Sequence, residues 1–556
     1  MKKVTLQNIS VRYITGDFTD IGLKDYVIQK LKRQYHVKEF WAVNDVSFSL
    51  EEGDLLGIVG SNGAGKSTLL KVISGIMCPT TGKMSVEGTI ASLLELGTGF
   101  DGELTVRENT FLRGAMLGYT RKFMDEMYDR IGKPGKGYDL EEGKRIAKRL
   151  EELGVDAINV SSACYDTYNY WLEPTSFEPG WRAYLAKAIK ETVKIPVCAA
   201  NFMRSPDQAE RQLEEGVQDF IGSARTFICD PYWVKKTEEG RTNEIKRCIG
   251  CLNCIESFTY GALSGKNGEC ALNPAVGQER FFANMPKDGE GRRVVVVGAG
   301  PAGLMAAEVM ARRGFAVTVF EKEEKAGGQV KTASTCLLKG KLYWSIEDLM
   351  ANVEKLGVEV KLGTEATEKA IAKLKPYAVV IATGGVPVRP RSIKGIDLPN
   401  VCTAPEIIMG EKKISGKIVA VIGSGMTGLE TTEILNESGN HVVVVEMAEE
   451  IAPGTWFQLK DDELSRIQKY DTEFMPGKRL MKITEDSVIL EDVRTSMLTT
   501  VTVDEVVLSL GVRPVNALAK ALENQYPYVV TVGDACKSGR IADAVHSAYD
   551  AVMRIK

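Results

Sequence analysis

The sequence predicts an α/β chain with several domains. Its 556 residues are too many for one core, since domains usually have about 100–200 residues. Three glycine-rich turns, "GSNGAGKST", "VVVVGAGPAG" and "VAVIGSGMTG", each follow an apolar run and open a helix-like run. Between the first two turns, amphipathic helical stretches alternate with short buried strands, which is typical of parallel α/β structure. We expect four regions: 1–128, 130–245, 246–289 and 290–556.

Composition restricts the functional class. The net charge of -4 is small for this length and favours no nucleic-acid partner. The N-terminus alternates apolar and polar residues like a strand, and no run is long enough for a membrane span. Of the 11 cysteines, four lie between residues 248 and 270. This uneven spacing favours a metal cluster in a reducing compartment, so we expect a cytoplasmic protein.

The first glycine-rich turn has the spacing of a phosphate-binding loop. In G-x-x-x-x-G-K-S, the backbone N–H groups surround phosphates, the lysine reaches the outer phosphates and the serine binds magnesium. We therefore expect ATP and Mg²⁺ to bind at Gly60, Gly63, Gly65, Lys66, Ser67 and Thr68.

The other two turns are dinucleotide fingerprints in full context. Each G-x-G-x-x-G follows a strand, opens a helix and precedes a strand that ends in glutamate. The residues are Gly298, Gly300, Gly303 and Glu321 in the first copy, and Gly423, Gly425, Gly428 and Glu446 in the second. A carboxylate at that point favours a free ribose 2′-hydroxyl, so NADH is expected over NADPH. The alternative is that each glycine turn only packs a helix on a strand.

Residues 290–556 resemble the two-dinucleotide flavoprotein reductases. The resemblance is carried by "GGQ" at 327–329, "ATGG" at 382–385 and "VGDA" at 532–535, in that family's order. It implies FAD on the first fingerprint and NADH on the second, in a subdomain inserted at about 415–512. It also implies that FAD contacts Gly328, Gln329, Gly384 and Asp534, the last beside the ribityl chain.

The cysteine-rich stretch has the spacing of a [4Fe–4S] site. Cys248, Cys251 and Cys254 lie on one tight loop, and Cys270 follows. Zinc is the alternative metal for this site, because it also binds four thiolates. A position between a flavin barrel and an FAD domain favours an electron relay. The other cysteines are expected to be small buried hydrophobic residues.

With these motifs, residues 130–556 resemble the C-terminal part of the NADH:flavin oxidoreductases related to old yellow enzyme, which include 2,4-dienoyl-CoA reductase and 2-enoate reductase. The resemblance implies electron transfer from NADH through FAD, the cluster and FMN to the activated C=C bond of an enoate or enoyl-CoA. In the family the third cysteine often lies one residue later and the fourth closer, so this loop differs in detail.

The resemblance extends to the end of the flavin barrel. "DFIGSARTFICDP" resembles the last barrel strand and its phosphate loop, which implies that Arg225 and the amides of Ser223 and Ala224 bind FMN phosphate. "AANFMRSP" implies that Arg204 lies nearby. Tyr165 stands where relatives place a proton donor, although a surface aromatic at a strand end is an equal alternative.

Both halves of the chain look incomplete. Only three convincing strands, with a fourth in question, occur between 130 and 245, against eight in a full barrel, which puts FMN binding in question. Residues 1–128 resemble the ATPase subunit of ABC exporters of the polysaccharide type, through "EFWAVNDVSFSL", "GSNGAGKST" and "LLELGTGFDGELTVREN". That family's signature helix, catalytic glutamate and switch histidine do not follow. We therefore expect nucleotide binding without hydrolysis, and a membrane permease as partner only if this block acts as an ABC subunit.

The abrupt change of family near Asp129 suggests a fusion of two truncated reading frames. Three functions are open: an NADH-dependent flavin and iron–sulfur oxidoreductase impaired by the missing half-barrel, an ABC exporter subunit, or a nonfunctional chimera. We expect the first, as a homo-oligomer.

Overall fold

The computed structural model describes residues 2–15, 38–51, 54, 56–58, 65–75, 77–87, 139–163, 167–200, 202–282 and 285–556. The chain divides into two compact units, Met1–Asp139 and Leu140–Lys556. Among the described residues, no helix has the length and apolarity that a membrane crossing requires.

The first unit is built on an antiparallel sheet. Its strands are Lys2–Thr15, Lys38–Glu51 and Thr81–Val86, with the first in the centre, and its helix is Lys66–Ile73. Leu6 pairs with Phe48 on one side and Met84 on the other. Together with Ile9 and Val72, Leu6 forms the buried core of this sheet and helix. The stretch "DLLGIVG" resembles a strand in sequence, but its described residues 54 and 56–58 have no strand pairing.

The second unit begins with a short parallel sheet. Its strands, in order, are Ile158–Val160, Val197–Ala200 and Phe220–Gly222. The helices of this region are Leu140–Glu152, Tyr168–Trp171, Ala183–Lys190, Pro206–Glu214, Arg225–Cys229 and Trp233–Glu238. The side chain of Ser205 caps one of them by accepting a hydrogen bond from the Gln208 N–H at 3.3 Å. The alternation predicted from sequence is thus present, as three parallel strands.

A cysteine-bearing segment connects this sheet to the rest of the unit. It contains the helices Asn253–Ser264 and Glu279–Phe282. The turn before the first helix places Leu252 in the left-handed region, with φ 57°.

The first dinucleotide fold has a five-stranded parallel sheet. Its order is Tyr528–Thr531, Ala378–Ile381, Arg293–Val297, Ala316–Phe320 and Glu359–Lys361. Its helices are Pro301–Arg312, Gln329–Thr335, Trp344–Lys355, Glu368–Leu374, Ala517–Leu522 and Ile541–Met553. The central strand carries four consecutive buried valines, because helices cover both faces of a parallel sheet.

The second dinucleotide fold repeats this plan. Its sheet order is Val401–Thr403, Glu505–Leu508, Ile418–Ile422, His441–Val445 and Glu473–Met475, with helices Ala404–Ile408, Met426–Glu437 and Phe457–Ile467. An antiparallel sheet of Lys478–Ile483, Ser487–Asp492 and Leu498–Thr502 accompanies it. The strands Gly385–Pro387 and Val512–Pro514 pair at the two connections between the folds.

Candidate functional site

Two positions of the first glycine turn require glycine. Gly298 has φ 105°, and a Cβ there would lie 2.3 Å from the Ala382 carbonyl oxygen. A Cβ on Gly303 would lie 1.9 Å from the Gly298 oxygen, so the helix packs directly against the turn. The helix Pro301–Arg312 begins at Gly300, and its N-terminal N–H groups face the position where a pyrophosphate binds in such folds.

Glu321 lies beside this turn at the end of the second strand. Its carboxylate accepts hydrogen bonds from the Ala299 N–H at 2.8 Å and the Glu323 N–H at 3.0 Å. Each oxygen keeps a further acceptor position. The carboxylate is therefore fixed by backbone donors and can still accept from a ribose hydroxyl.

The segment "GGQ" closes the other side of the turn. Gly328 has φ 52°, and a Cβ there would lie 3.4 Å from the Gly300 Cα. The Gln329 Nε2 group donates to Asp534 Oδ2 at 2.6 Å, and the Gly539 N–H donates to Asp534 Oδ1 at 2.9 Å. Burial raises the pKa of Asp534 despite these donors. The structure thus brings together Gly328, Gln329 and Asp534, which lie about 200 residues apart in sequence.

Gly384 is the remaining predicted residue of this group. It has φ 71°, which suits glycine, and an added Cβ there would meet no atom within 4 Å among the described residues. The turn that contains it follows the strand Ala378–Ile381 of the same sheet.

The second glycine turn has nearly the same geometry. A Cβ on Gly423 would lie 2.3 Å from the Ser509 oxygen, and one on Gly428 would lie 2.0 Å from the Gly423 oxygen. Glu446 accepts from the Ser424 N–H at 2.9 Å and the Ala448 N–H at 2.8 Å. A Cβ on Gly425 would meet no described atom within 4 Å, whereas one on Gly300, at the same position of the first turn, would face the Gly328 Cα at 3.9 Å. We call the second turn open and the first turn covered.

The four predicted cysteine ligands line a single pocket. Cys248, Cys251, Cys254 and Cys270 share it with Arg225 and with apolar side chains such as Ile249 and Leu272. A thiolate donor set in an apolar pocket has the chemistry that an iron–sulfur cluster requires. Within the described ranges, no three His, Cys, Asp or Glu side chains form a group that would hold a single metal ion.

The first loop of cysteines depends on a glycine. Gly250 has φ 69°, and a Cβ there would lie 3.1 Å from the Thr175 nitrogen and 3.2 Å from the Phe202 ring. The loop therefore packs against one segment after the helix Tyr168–Trp171 and one after the strand Val197–Ala200, which fixes the cysteines on either side of Gly250.

The thiols of the pocket differ in acidity. Burial raises the pKa of Cys254 to about 12 and raises that of Cys251 further. The pKa of Cys270 is lowered, chiefly through its interaction with the neighbouring Cys229 thiol. Backbone N–H groups of Leu272 and Asn273 add to this effect. Cys270 is therefore more easily present as a thiolate than Cys251 or Cys254.

Sequence reasoning missed Cys229. It was expected to be a small buried hydrophobic residue, but its side chain lines the cysteine pocket. It lies on another segment, at the end of the helix Arg225–Cys229, so ligand spacing could not reveal it. Cys229 is buried as expected, whereas the expectation of burial is wrong for Cys78 and Cys536, which are exposed.

Arg225 has protein partners. Its guanidinium donates to the Glu173 carbonyl oxygen at 2.7 Å and pairs with the Glu173 carboxylate, which also pairs with Arg182 at 2.9 Å. Ser223 is half-buried, and Ala224 is exposed at the start of the helix Arg225–Cys229. The arginine thus lies between the predicted phosphate loop and the cysteine pocket.

Arg204 is a buried cation with free hydrogen-bonding capacity. It is 3% exposed, its guanidinium carbon lies 3.5 Å from the Phe202 ring centroid, and its Nη1 donates to the Met203 oxygen at 2.9 Å. Among the described residues, nothing accepts from its Nε and Nη2 atoms. Burial lowers its pKa to about 10. An anionic group such as a flavin phosphate fits these free donors.

The structure describes only part of the predicted phosphate-binding loop. Gly65 has φ 84° and precedes the helix Lys66–Ile73, in which Ser67 is exposed and Thr68 half-buried. A Cβ on Gly65 would lie 1.9 Å from the Ala42 oxygen, so glycine is needed there. Gly60, Gly63 and Tyr165 lie outside the described residues.

Comparison with protein families places both units. Residues 292–530 match the pyridine nucleotide-disulphide oxidoreductase family, and residues 127–244 match the NADH:flavin oxidoreductase / NADH oxidase family. Residues 43–168 match the ABC transporter family, which overlaps the preceding match at 127–168. The second unit is thus similar to flavin oxidoreductases in its matched families and in its fold.

Two curated proteins and one solved structure are similar to most of the second unit. An NADH oxidase of Thermoanaerobacter brockii is 38% identical over 424 residues, 75% of this chain and 64% of the relative. A bilirubin reductase of Mediterraneibacter gnavus is 35% identical over 422 residues, 74% of this chain and 64% of the relative. The solved structure of a 2-naphthoyl-CoA reductase–2-naphthoyl-CoA complex has a TM-score of 0.69 and 31% identity, covering 76% of this chain and 63% of that one.

The resemblance to the 2,4-dienoyl-CoA and 2-enoate reductase family is thereby confirmed, as is that of the N-terminal block to ABC transporters. The chain spans less than two thirds of the length of these relatives.

Proposed function

We propose that the chain is an NADH:flavin oxidoreductase of the 2,4-dienoyl-CoA and 2-enoate reductase type. FAD would be held by the first dinucleotide fold, NADH by the second, a [4Fe–4S] cluster by Cys248, Cys251, Cys254 and Cys270, and FMN by the end of the partial barrel. When bound, these groups would carry electrons from NADH through FAD and the cluster to FMN, which would reduce an activated C=C bond of an enoate or enoyl-CoA.

The observation that carries the proposal is the attachment of the cysteine pocket to the first dinucleotide fold. The His546 Nε2 group donates to the Cys270 carbonyl oxygen at 2.8 Å. Lys246, two residues before Cys248, pairs with the buried Glu308 at 2.8 Å, on the helix that the glycine turn opens. The thiols are therefore fixed directly against the elements that would hold FAD.

The other wall of the pocket comes from the partial barrel. Arg225 lines the pocket and is oriented by the fully buried Glu173. Arg204 stacks on Phe202, which also contacts the loop at Gly250. A pocket between two flavin-binding elements is the position that a one-electron relay needs.

The second dinucleotide fold would select NADH over NADPH by the charge of Glu446. The Glu446 carboxylate is held by the Ser424 and Ala448 N–H groups, where it can accept from a 2′-hydroxyl and repels a 2′-phosphate. Gln329 and Gly539 hold Asp534 near the first turn, where it can accept from hydroxyls of a flavin side chain.

The test is a visible spectrum of anaerobically purified full-length protein before and after NADH, with acid-released flavin separated into FAD and FMN. The proposal expects FAD that bleaches with NADH and broad iron–sulfur absorbance. FMN equal to FAD would support reduction of the C=C substrate, whereas FAD alone would support a relay that ends at the cluster because half of the barrel is missing. A colourless protein would overturn the assignment.

The choice of nicotinamide cofactor has its own test. In Glu446→Ala, the repulsion of a 2′-phosphate is lost, so the kcat/KM ratio of NADH to NADPH is expected to fall by at least tenfold. Glu450→Ala, an exposed carboxylate that pairs with Lys460 at 3.4 Å, is the matched control and should leave the ratio unchanged. An unchanged ratio in Glu446→Ala would contradict NADH selection by this residue.

For the N-terminal unit, we propose ATP and Mg²⁺ binding without hydrolysis. Gly65 caps the helix Lys66–Ile73, whose first N–H groups suit a phosphate. Calorimetric titration with ATP and Mg²⁺, with Lys66→Ala as the variant, tests this. We also propose a cytoplasmic homo-oligomer with a small-molecule substrate, no nucleic-acid partner, and a permease partner only if this unit acts as an ABC subunit. Light scattering measures the oligomeric state.

A further inference from the structure

The second dinucleotide fold is attached to the rest of its unit by more than the two connecting strands. Residues 454–463 of that fold contact the first dinucleotide fold, the cysteine segment and the partial barrel. We call these residues the docking segment, and they include the first part of the helix Phe457–Ile467. The contacts lie outside both glycine turns, so binding of a cofactor does not account for them.

The partial barrel contributes polar contacts from the helix Tyr168–Trp171 and the turn after it. The Asn169 Nδ2 group donates to the Gln458 carbonyl oxygen at 3.1 Å, and the Ser176 hydroxyl donates to Asp462 Oδ1 at 2.9 Å. The Gln458 side chain is buried and also donates to Asn169 Oδ1 at 3.5 Å. The start of the docking helix is therefore held on the barrel by directional contacts.

Aromatic rings add a second kind of contact to the docking segment. Tyr168 of the partial barrel meets Phe457 edge-on, with ring centroids 4.8 Å apart. Tyr260, on the cysteine-segment helix Asn253–Ser264, meets Trp456 in the same way at 5.4 Å. Such pairs contribute about 0.5–1.5 kcal/mol each beyond the area that they bury. Neighbouring residues of the docking segment thus pack on two different parts of the unit.

The first dinucleotide fold contacts the same segment with two cations. The Arg540 Nη2 group donates to the Gly454 carbonyl oxygen at 3.2 Å, and Lys339 pairs with Glu463 at 2.9 Å. Lys339 also pairs with Glu430, which lies two residues after the last glycine of the second turn. Lys339 itself follows the "GGQ" segment by ten residues. In the docked arrangement, the helix that the second glycine turn opens therefore faces the chain that leads from the flavin site.

We propose that the docking segment is a positioning element that holds the second dinucleotide fold in the orientation in which bound NADH reaches the flavin. The inference rests on the proposed function, in which the two folds hold FAD and NADH. In that reaction NADH gives one hydride, with both its electrons, to FAD, which leaves NAD⁺ and reduced flavin. The rate of such a step depends on the distance and alignment of the two groups, and a misplacement of about 1 Å can cost about 100-fold.

The experiment changes the partial-barrel side of the contact and leaves the second fold itself intact. One disrupting variant combines Tyr168→Ala, Asn169→Ala and Ser176→Ala. The other is Ser176→Asp, which keeps the aromatic packing and places a carboxylate against Asp462. The conservative variant combines Tyr168→Phe with Ser176→Thr and keeps the ring and the donor. Tyr184→Ala is the control, because it removes an exposed aromatic side chain from another helix of the partial barrel.

Two measurements are made on each full-length protein after its FAD content has been determined. Rapid anaerobic mixing with increasing NADH gives the limiting rate of flavin bleaching and the Kd for NADH. Hydrogen–deuterium exchange of the helix Phe457–Ile467 reports docking without turnover.

The expected result is a limiting rate that falls about tenfold in both disrupting variants, with a Kd for NADH close to that of wild type. Exchange in the helix Phe457–Ile467 should become faster in the same two variants. The conservative variant and Tyr184→Ala should behave as wild type. A merely structural role would lower FAD content or stability without separating the limiting rate from the Kd.

The negative results separate the two proposals. Wild-type protein that lacks FAD, or whose FAD is not bleached by NADH, would overturn the proposed function and this inference with it. Disrupting variants that carry FAD and keep the wild-type limiting rate would overturn the inference alone. A rise in Kd with an unchanged limiting rate, or an equal loss of rate in Tyr184→Ala, would also overturn it.

Discussion

The two dinucleotide folds have the same glycine turn but place a buried carboxylate in opposite surroundings. Glu308 and Glu433 occupy the same position, eight residues after Gly300 and Gly425. Burial would raise the pKa of Glu308, but Lys246 and Arg312 outweigh it and lower that pKa. At Glu433, burial raises the pKa to about 7, because Arg466 offsets it incompletely and the neighbouring Glu463 adds to it.

The difference comes from what each helix packs against. In the first fold, Glu308 joins the glycine-turn helix to the cysteine segment through Lys246. In the second, Glu433 faces the helix Phe457–Ile467, from which Arg466 donates at 2.8 Å and Glu463 contributes a second carboxylate. The helix after the same fingerprint therefore carries a carboxylate that is neutralised by nearby cations in the first fold and only partly neutralised in the second.

The largest effect is expected for Glu308→Gln. The change leaves the half-buried Lys246 without its anionic partner, and breaking a largely buried pair costs up to about 3 kcal/mol. Thermal unfolding followed by flavin fluorescence should show the loss at pH 7, together with release of iron if the cysteine segment detaches. Glu433→Gln is the matched variant, and an equal loss there would contradict the contrast between the two folds.

The next effect concerns the tight glycines. An alanine at Gly303 or Gly428 would press its Cβ to about 2 Å from a carbonyl oxygen of its own turn, and overpacking of this kind costs about 1–3 kcal/mol. Gly303→Ala should lose FAD. Gly428→Ala should keep FAD but raise the KM for NADH, as bound flavin and NADH oxidation rates would show.

Gly439→Ala, with φ 77° but no neighbouring atom within 4 Å among the described residues, is the control for strain without a clash. Loss of FAD in Gly428→Ala, with FAD retained in Gly303→Ala, would reverse the assignment of cofactors to folds.

The contrast also marks what sequence could predict. The glycine turns, the glutamates that follow them and the three barrel strands were predictable, because each pattern is complete within some 30 residues. Three other features were not predictable, because they depend on segments that meet only in the fold. They are the place of Cys229 in the cysteine pocket, the free donors of Arg204 and the raised pKa of Glu433. The contact of Gln329 with Asp534 was implied by family order alone, as no local pattern joins residues 205 positions apart.

A pH effect is expected from Glu433→Gln, on the order of 2–3 kcal/mol between pH 5 and pH 8 given 1.36 kcal/mol per pKa unit. A carboxyl whose folded pKa is raised contributes stability below its ordinary pKa of about 4.5 and loses it as pH rises through about 7. Wild type should therefore lose stability between pH 5 and pH 8 relative to the glutamine variant. Urea unfolding at both pH values measures this, and parallel pH profiles would contradict it.

The smallest effect on stability is expected for Gly425→Ala. Gly425 has φ -56°, which alanine adopts freely, and a Cβ there would enter open space among the described residues. The unfolding temperature should stay within about 1 °C of wild type, consistent with surface changes of under about 0.5 kcal/mol. The KM for NADH should nevertheless rise, because the middle glycine lets the backbone approach a pyrophosphate.

Gly300→Ala is the comparable variant in the first turn. Its Cβ would lie 3.9 Å from the Gly328 Cα, and the variant should lower FAD occupancy. An unchanged KM in Gly425→Ala would mean that NADH does not bind across the open turn.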